Sequence, residues 1–525
     1  MSSPIEIVTD EWGVTHITAE SADDVFFGQG YAAATTRLLQ MELWRRRGLG
    51  LLAEVFGEDY AELDAAARTF LYRGSVDAEC DAYGAGTRET IAAFVAGVNH
   101  RIAEVLASPD GLPLEFDAAG FAPAPWSIDD VLRIRLHGLH SNADEEIARA
   151  VTLRDFGADI EDLRKPRDPR EPLTVAEGLD LDAIDPAILS TYHAAHAPFV
   201  LPGAGEPAAR PALDGSNNWA VAGSRTASGR PIVATDPHRL MTWPSLRTVV
   251  HLTCPEFDVI GMNEPYMPGV SGGHNGRIAF GFTIAPTDVE DVSAYELDES
   301  GERCRYGAEW EAFTTLVETI PIAGAEAREV TILFTRHGPV LHVDRERRRA
   351  YALRALWLDT GMTPYLGALA YLRAADVEEY LAALEVWGAP ALNHVVADTS
   401  GRIAWQVAGR SPVRPNWDGL LPVPGDGRFE WAGTRGTGDL PGLVDPQSGW
   451  VRSANQNNLA EDPDWTGVPT SYEWYAGHRA ARDVSGADHR ERIGRSTVAL
   501  GRTPRGPRRA AGVGGLRAGA SVAQS

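Results

Sequence analysis

A serine that follows glycine at the end of a Pro- and Gly-rich stretch, and that opens a run of alternating residues, can do more than turn the chain. In Asp214-Gly215-Ser216-Asn217-Asn218-Trp219, an accessible peptide bond lets Gly215 take strained backbone angles while the strand behind it fixes Ser216. The Ser216 hydroxyl could then attack the Gly215 carbonyl and cut the chain. The product would carry nucleophile and free α-amine on one residue. That amine, with an ordinary pKa near about 8, can act as general base without a histidine. A turn residue capping a strand fits the same hexapeptide, so both readings stand at this point. No G-x-S-x-G elbow surrounds Ser216, which argues against a separate His/Asp relay.

Other polar groups have bland readings beside the chemical ones. Asp288, Glu290 and Asp291 crowd one loop, as a solvated surface or an oxygen-rich cation site would. His137 and His140 lie three apart on a helical pattern with no third ligand, which favours an ordinary helix face. His238 suits either a buried polar contact or a role beside a nucleophile. His274 reads as a buried strand or turn residue.

The elements that must position Ser216 change character along the chain. Short alternating segments, Ile5 to Val8 and Val14 to Ile17, join at Glu11-Trp12-Gly13. Ser21 with Asp24 signals a helix start, Ile91 to Val105 recur at helical spacing, and Ser127 with Asp130 signals a third helix, so the region to about Phe156 is expected to be mainly α. Leu201 to Asp214 reads as an exposed linker. Beyond it, period two dominates in Trp219 to Ala222, Pro231 to Ala234, Thr248 to Leu252, Arg277 to Phe282, Val330 to Phe334 and Ala350 to Leu358, which predicts a β-rich body.

Composition narrows the function classes. The 525 residues can bury a large core, and 53 Gly, 34 Pro and 14 Trp favour a turn-rich, strand-rich body. A net charge of -25 opposes binding to nucleic acid or an anionic membrane. Cys80, Cys254 and Cys304 are far apart and read as core residues. The first residues lack the basic and apolar regions of a secretory signal, so the chain as written would be cytoplasmic, or periplasmic or secreted if a leader precedes it. Residues 501–525 hold five Arg and no acid, which predicts a disordered tail or a spurious, frameshifted one.

Four motifs in order resemble the penicillin acylase family. They are the helix with Gly28-x-Gly30-Tyr31 and Arg37 to Glu42, Ser216-Asn217-Asn218-Trp219, Thr235-Asp236-Pro237-His238, and Gly273-His274-Asn275-Gly276 running on to Gly281. The resemblance implies an α+β fold, the αββα four-layer sandwich of N-terminal nucleophile hydrolases. It implies an α-chain over 1–190, a spacer over 191–215 and a β-chain over 216–500, two chains that stay associated after autocatalytic cleavage between Gly215 and Ser216.

The activity implied is hydrolysis of a linear carbon–nitrogen amide bond through an acyl-enzyme on a small-molecule substrate. Carried over by position, the oxyanion donors would be the Ile284 backbone N–H and Asn455, with Asn457 as second choice, and Arg479 and His238 would lie near Ser216. A structural Ca²⁺ would be held by Glu146, Asp288, Asp291 and the Glu290 carbonyl, joining the two chains. The acyl pocket would involve Leu139, His140, Arg239 and Ser271 in place of the family's aromatic residues, and Arg239 would favour an acyl group bearing a carboxylate. Past Arg482 the motif match is expected to end. A truncated, inactive homologue and a non-enzymatic binding protein on the same scaffold are therefore the competing readings.

Overall fold

The computed structural model describes residues 4–135, 142–165, 172–197, 199–202, 216–238, 242–285 and 287–454. At the start, Asp10 turns the chain: its Oδ1 accepts from the backbone N–H groups of Trp12 and Val14, both at 2.9 Å, and Gly13 takes φ 80°. This folds Glu6–Thr9 back on Thr15–Thr18. Ser21 then caps the helix Ala22–Leu49 by accepting from the Asp24 N–H at 3.2 Å. Ser127 and Asp130 form a complete capping box before Ile128–Arg133.

Glycine explains how the two long helices meet. Ala22–Leu49 lies along Thr87–Ala107 so closely that a Cβ at Gly30 would fall 2.0 Å from the Phe94 carbonyl oxygen, and one at Gly97 would fall 2.0 Å from that of Phe27. Any side chain at either position would push the backbones apart. The helical motif read from sequence therefore serves packing.

The body is a nine-stranded sheet in the order Glu6–Thr9, Thr15–Thr18, Thr248–Cys254, Phe257–Asn263, Gly272–His274, Ile278–Ile284, Leu392–Asp398, Ile403–Ala408 and Gly442–Val444. The N-terminal hairpin is thus part of the sheet, with Thr15–Thr18 parallel to residues 250–253. One face carries an aromatic core of Phe280, Phe282, Tyr371, Tyr380 and Trp387. The other packs Val395, Trp405 and Val407 against Ala220 and Val451 of a three-stranded sheet ordered Trp450–Ser453, Ser216–Val221, Ile232–Pro237.

A separate six-stranded sheet, ordered Thr314–Ile320, Arg328–Thr335, Gly338–Asp344, Arg349–Ala355, Glu290–Glu296 and Val423–Pro424, packs on the helix Ala143–Phe156 through Ile147, Ala150, Val292 and Leu353. Helices and mostly antiparallel sheets from both halves of the chain give the expected α+β class.

Three details differ from the sequence reading. The hairpin of the mainly helical first region belongs to the main sheet. The strand expected to reach Leu358 stops at Ala355, where a 3₁₀ turn takes over. His274 ends its strand exposed rather than buried, beside the Asn275–Arg277 turn. The three cysteines are free thiols and buried. Among the described residues, no helix is long and apolar enough to cross a membrane.

Candidate functional site

Ser216 is the first residue of its strand, opposite Pro237, and only 8% exposed. Strand alternation sends Ser216, Asn218 and Ala220 toward the nine-stranded sheet and leaves Asn217 and Trp219 half-buried on the other face. The neighbouring strand docks tightly. Thr235 Oγ1 accepts from the Phe282 N–H at 3.2 Å, and a Cβ at Gly281 would fall 2.4 Å from Thr235 Cβ. The sheet that holds Ser216 is therefore pinned at the strand that ends in Ile284.

Between the sheets runs a strip of buried polar groups. Asn218 Nδ2 donates to the Asn393 carbonyl at 2.9 Å, Asn393 Nδ2 donates to the Ile284 carbonyl at 2.9 Å, and Trp405 Nε1 donates to Asn393 Oδ1 at 3.0 Å. Thr283 Oγ1 donates to Ser453 Oγ at 2.8 Å. Buried amides earn their place only when bonded, and these bonds tie the Ser216 strand to Ile284 through Asn393. Sequence reasoning passed over Asn393 and Trp405, because a single Asn in an apolar strand carries no spacing signal.

His238 directly follows Pro237, the residue paired with Ser216. Its Nε2 lies 2.9 Å from Asp236 Oδ2 and 3.5 Å from Asn217 Nδ2, and the side chain is half-exposed. Asp236, two residues back near the end of the strand Ile232–Pro237, is simply its nearest partner. Ser271 is fully buried and donates its hydroxyl to the Met262 carbonyl at 3.2 Å. Gly215, Leu139, His140, Arg239, Asn455, Asn457 and Arg479 lie outside the described residues. His394, next to Asn393 but on the aromatic face, is held neutral: burial lowers its pKa to about 3.

The carboxylates expected to hold Ca²⁺ do converge, but around a different cation. Asp288 and Asp291 are buried against Arg414, whose Nε donates to Asp291 Oδ2 at 2.8 Å and whose NH2 bonds Asp288 and the Glu290 carbonyl. Trp417 and Trp431 donate their indole N–H groups to Asp291. Glu146 accepts from the Val292 N–H at 3.0 Å and from Asn142 Nδ2 at 3.4 Å. The Glu290 carboxylate caps the helix Ala143–Phe156, accepting from the N–H groups of Asn142 and Ala143, and from Tyr192 and Trp357.

Charge follows this geometry. Burial, with Asp291 and Asp288 nearby, pushes the Glu146 carboxyl well above its usual range, and burial raises Asp288 to about 8 against the pull of Arg414. Burial also works against the charge on Arg414, but Asp288 and Asp291 more than offset it and hold the guanidinium above its usual value. With one oxygen of each aspartate already bound to Arg414, the cluster does not fit a calcium ion as it stands, because a dication would meet a buried guanidinium. Among the described residues, no three His, Cys, Asp or Glu are arranged to hold a metal. Arg414 lies 123 residues beyond Asp291, so no local pattern announces it.

The family model described as penicillin amidase matches residues 4–498. The chain belongs to this family. Its match also continues beyond Arg482, where the motif reading expected it to end. The penicillin acylase 2 proenzyme of Pseudomonas sp. (strain SE83) is 34% identical over 89% of this chain and 60% of its own length. The acyl-homoserine lactone acylase QuiP of Pseudomonas aeruginosa is 30% identical over 92% of this chain and 58% of its own, and the penicillin G acylase of Escherichia coli is 29% identical over 87% and 59%. The chain thus spans about three fifths of these relatives. A solved thermostable penicillin G acylase from Alcaligenes faecalis aligns with a TM-score of 0.44 at 27% identity, over 49% of this chain and 47% of that one.

Proposed function

We propose that this chain is an acylase precursor that hydrolyses a linear amide, with Ser216 as nucleophile once the Gly215–Ser216 bond is cut. The observation that carries the reading is the placement of Ser216: nearly buried, first in a central strand, and tied through Asn218 and Asn393 to Ile284. Family membership supports the same chemistry. In it the free α-amine of Ser216 takes the hydroxyl proton, the hydroxyl attacks the amide carbonyl, and the amine leaving group departs with that proton. Water then releases the acid from the acyl-enzyme. The Ile284 N–H, with Asn455, would steady the oxyanion, a contribution of several kcal/mol where two donors are aimed at it.

The four-layer αββα arrangement belongs to this proposal. Helices, the nine-stranded sheet and the three-stranded sheet supply three layers, and the fourth would cover the outer face of the Ser216 strand. So do the division at 190 and 215 and the pairing of two chains cut from one precursor. N-terminal sequencing tests the reading. Folded protein should appear as two chains, the heavier starting at Ser216, and Ser216→Ala should stay one chain without amidase activity. A soluble, folded wild type found only with its original terminus overturns it in favour of a binding protein. A Ser216 terminus without turnover of any amide favours the inactive homologue.

A further inference from the structure

Away from Ser216, two histidines meet on neighbouring strands. His16 and His251 are register partners in the parallel pair of Thr15–Thr18 with Thr248–Cys254, so their side chains emerge side by side on one face. Their Nδ1 atoms stand 2.9 Å apart, with the rings edge to face. Each outer nitrogen faces a carboxylate. His16 Nε2 lies 3.2 Å from Asp10 Oδ2, and His251 Nε2 lies 2.7 Å from Asp258 Oδ1 and 3.2 Å from Thr253 Oγ1. The side chains of His16 and His251 are 36% and 26% exposed, open to an ion from solvent.

This arrangement has the parts of a metal clamp. A carboxylate on the outer nitrogen fixes each ring and makes its inner nitrogen a better ligand. Among the described residues the inner nitrogens meet only each other, while the outer ones face Asp10 and, for His251, both Asp258 and the Thr253 hydroxyl. A cation can replace the hydrogen between the rings while both Nε2–H groups keep donating to Asp10 and Asp258. Two imidazoles with the remaining positions open to water suit late first-row divalent ions, whose affinity for nitrogen rises through Ni²⁺ to Cu²⁺; the rings, now head to head in a 2.9 Å hydrogen bond with centroids 5.1 Å apart, would turn their inner nitrogens toward the shared ion. We infer that His16 and His251 bind one late first-row divalent ion of tetragonal preference, Ni²⁺ or Cu²⁺, with its other positions open to water or a small ligand.

His16 precedes and His251 follows Gly215–Ser216. If that bond is cut as proposed above, the ion ties one chain to the other. Binding itself needs no cleavage, so the two ideas fail separately.

Tag-free protein in its cut form and as uncut Ser216→Ala should each take up one Ni²⁺ in a calorimetric titration. His16→Gln or His251→Gln should weaken that uptake at least thirtyfold, and Asp10→Asn or Asp258→Asn about 10–100-fold, as is usual for the partners of metal-bound histidines. Cu²⁺ on the wild type should give an electron paramagnetic resonance spectrum split by two imidazole nitrogens, falling to one in either histidine variant. Equal Ni²⁺ affinity in wild type and both histidine variants overturns the inference. So does a wild-type Cu²⁺ spectrum without the two-nitrogen splitting, which settles the matter even if the variants fail to fold.

Discussion

Arg414→Gln is the change that most directly tests the reading of the carboxylate cluster. Among the described residues it removes the one guanidinium hydrogen-bonded to both Asp288 and Asp291, which are buried, and leaves the glutamine amide to satisfy one of them. Breaking a buried ion pair from one side costs about 3–5 kcal/mol. The cluster can relieve part of this by holding protons, since Asp288 and Glu146 already resist ionisation, so the lower figure applies near pH 6. At about 2.1 cal/mol/K of unfolding entropy per residue, 1 kcal/mol moves the Tm of a protein of this size by about 1 °C, which makes the expected loss about 3 °C.

The assay is thermal unfolding followed by circular dichroism in the Ser216→Ala background, with calcium or with chelator. The wild type should be indifferent to both. Arg414→Gln should melt lower and recover in millimolar calcium, because the vacated carboxylates become a hard-oxygen site, and an ion at a hundred times its Kd restores about 2.7 kcal/mol. A wild type that melts lower in chelator, together with an unaffected Arg414→Gln, would refute the claim that the arginine fills the cation's place.

The same cluster sets a pH dependence. The folded Asp288 carboxyl holds its proton up to about 8, above the unfolded value near about 4, so its contribution is greatest at low pH and is lost as pH rises through 8. Urea unfolding should show wild type losing about 2 kcal/mol between about pH 6 and 8 relative to Asp288→Asn; parallel profiles would count against it. Asn393→Leu should destabilise by about 2–4 kcal/mol by stranding the Trp405 indole and the Ile284 carbonyl, and should slow appearance of the Ser216 terminus, so unaltered cleavage would cut the link between Asn393 and the site. If Arg239 faces the acyl group, Arg239→Ala should reduce kcat/KM about tenfold or more for acyl groups bearing a carboxylate and much less for neutral ones; equal losses would remove it from the pocket.

What sequence revealed here was local. Ser21 and Ser127 announced their helices because a cap bonds an amide two or three residues away. The strand start at Ser216 was legible because a Pro- and Gly-rich stretch gives way there to alternating residues. Period two located most strands, but it cannot say which sheet a strand joins. The six-stranded sheet takes Glu290–Glu296 directly after a segment of the nine-stranded one, and Glu6–Thr18 crosses the whole first region to join residues 248–254. Contacts made over such separations leave no periodic trace. Arg414 and the His16–His251 pair are of this kind: each residue has an unremarkable local setting and becomes chemically distinct only when the sheets assemble. Asp288 and Asp291 lie together because they are close in sequence, while the guanidinium that bonds both comes from a residue far along the chain.

The parallel pairing of Thr15–Thr18 with residues 250–253 has a consequence for the order of events in the life of this molecule. Were Gly215–Ser216 cut before that pairing formed, the sheet would have to be assembled from two fragments meeting by diffusion. Cut afterwards, the fragments are interwoven and cannot separate without dismantling the sheet. The uncut chain can therefore unfold and refold as a unimolecular process, whereas the cut one, once unfolded, loses its partner to dilution. Cleavage would turn an equilibrium into a one-way gate, and the mature protein would endure by the slowness of its unfolding rather than by its ability to return.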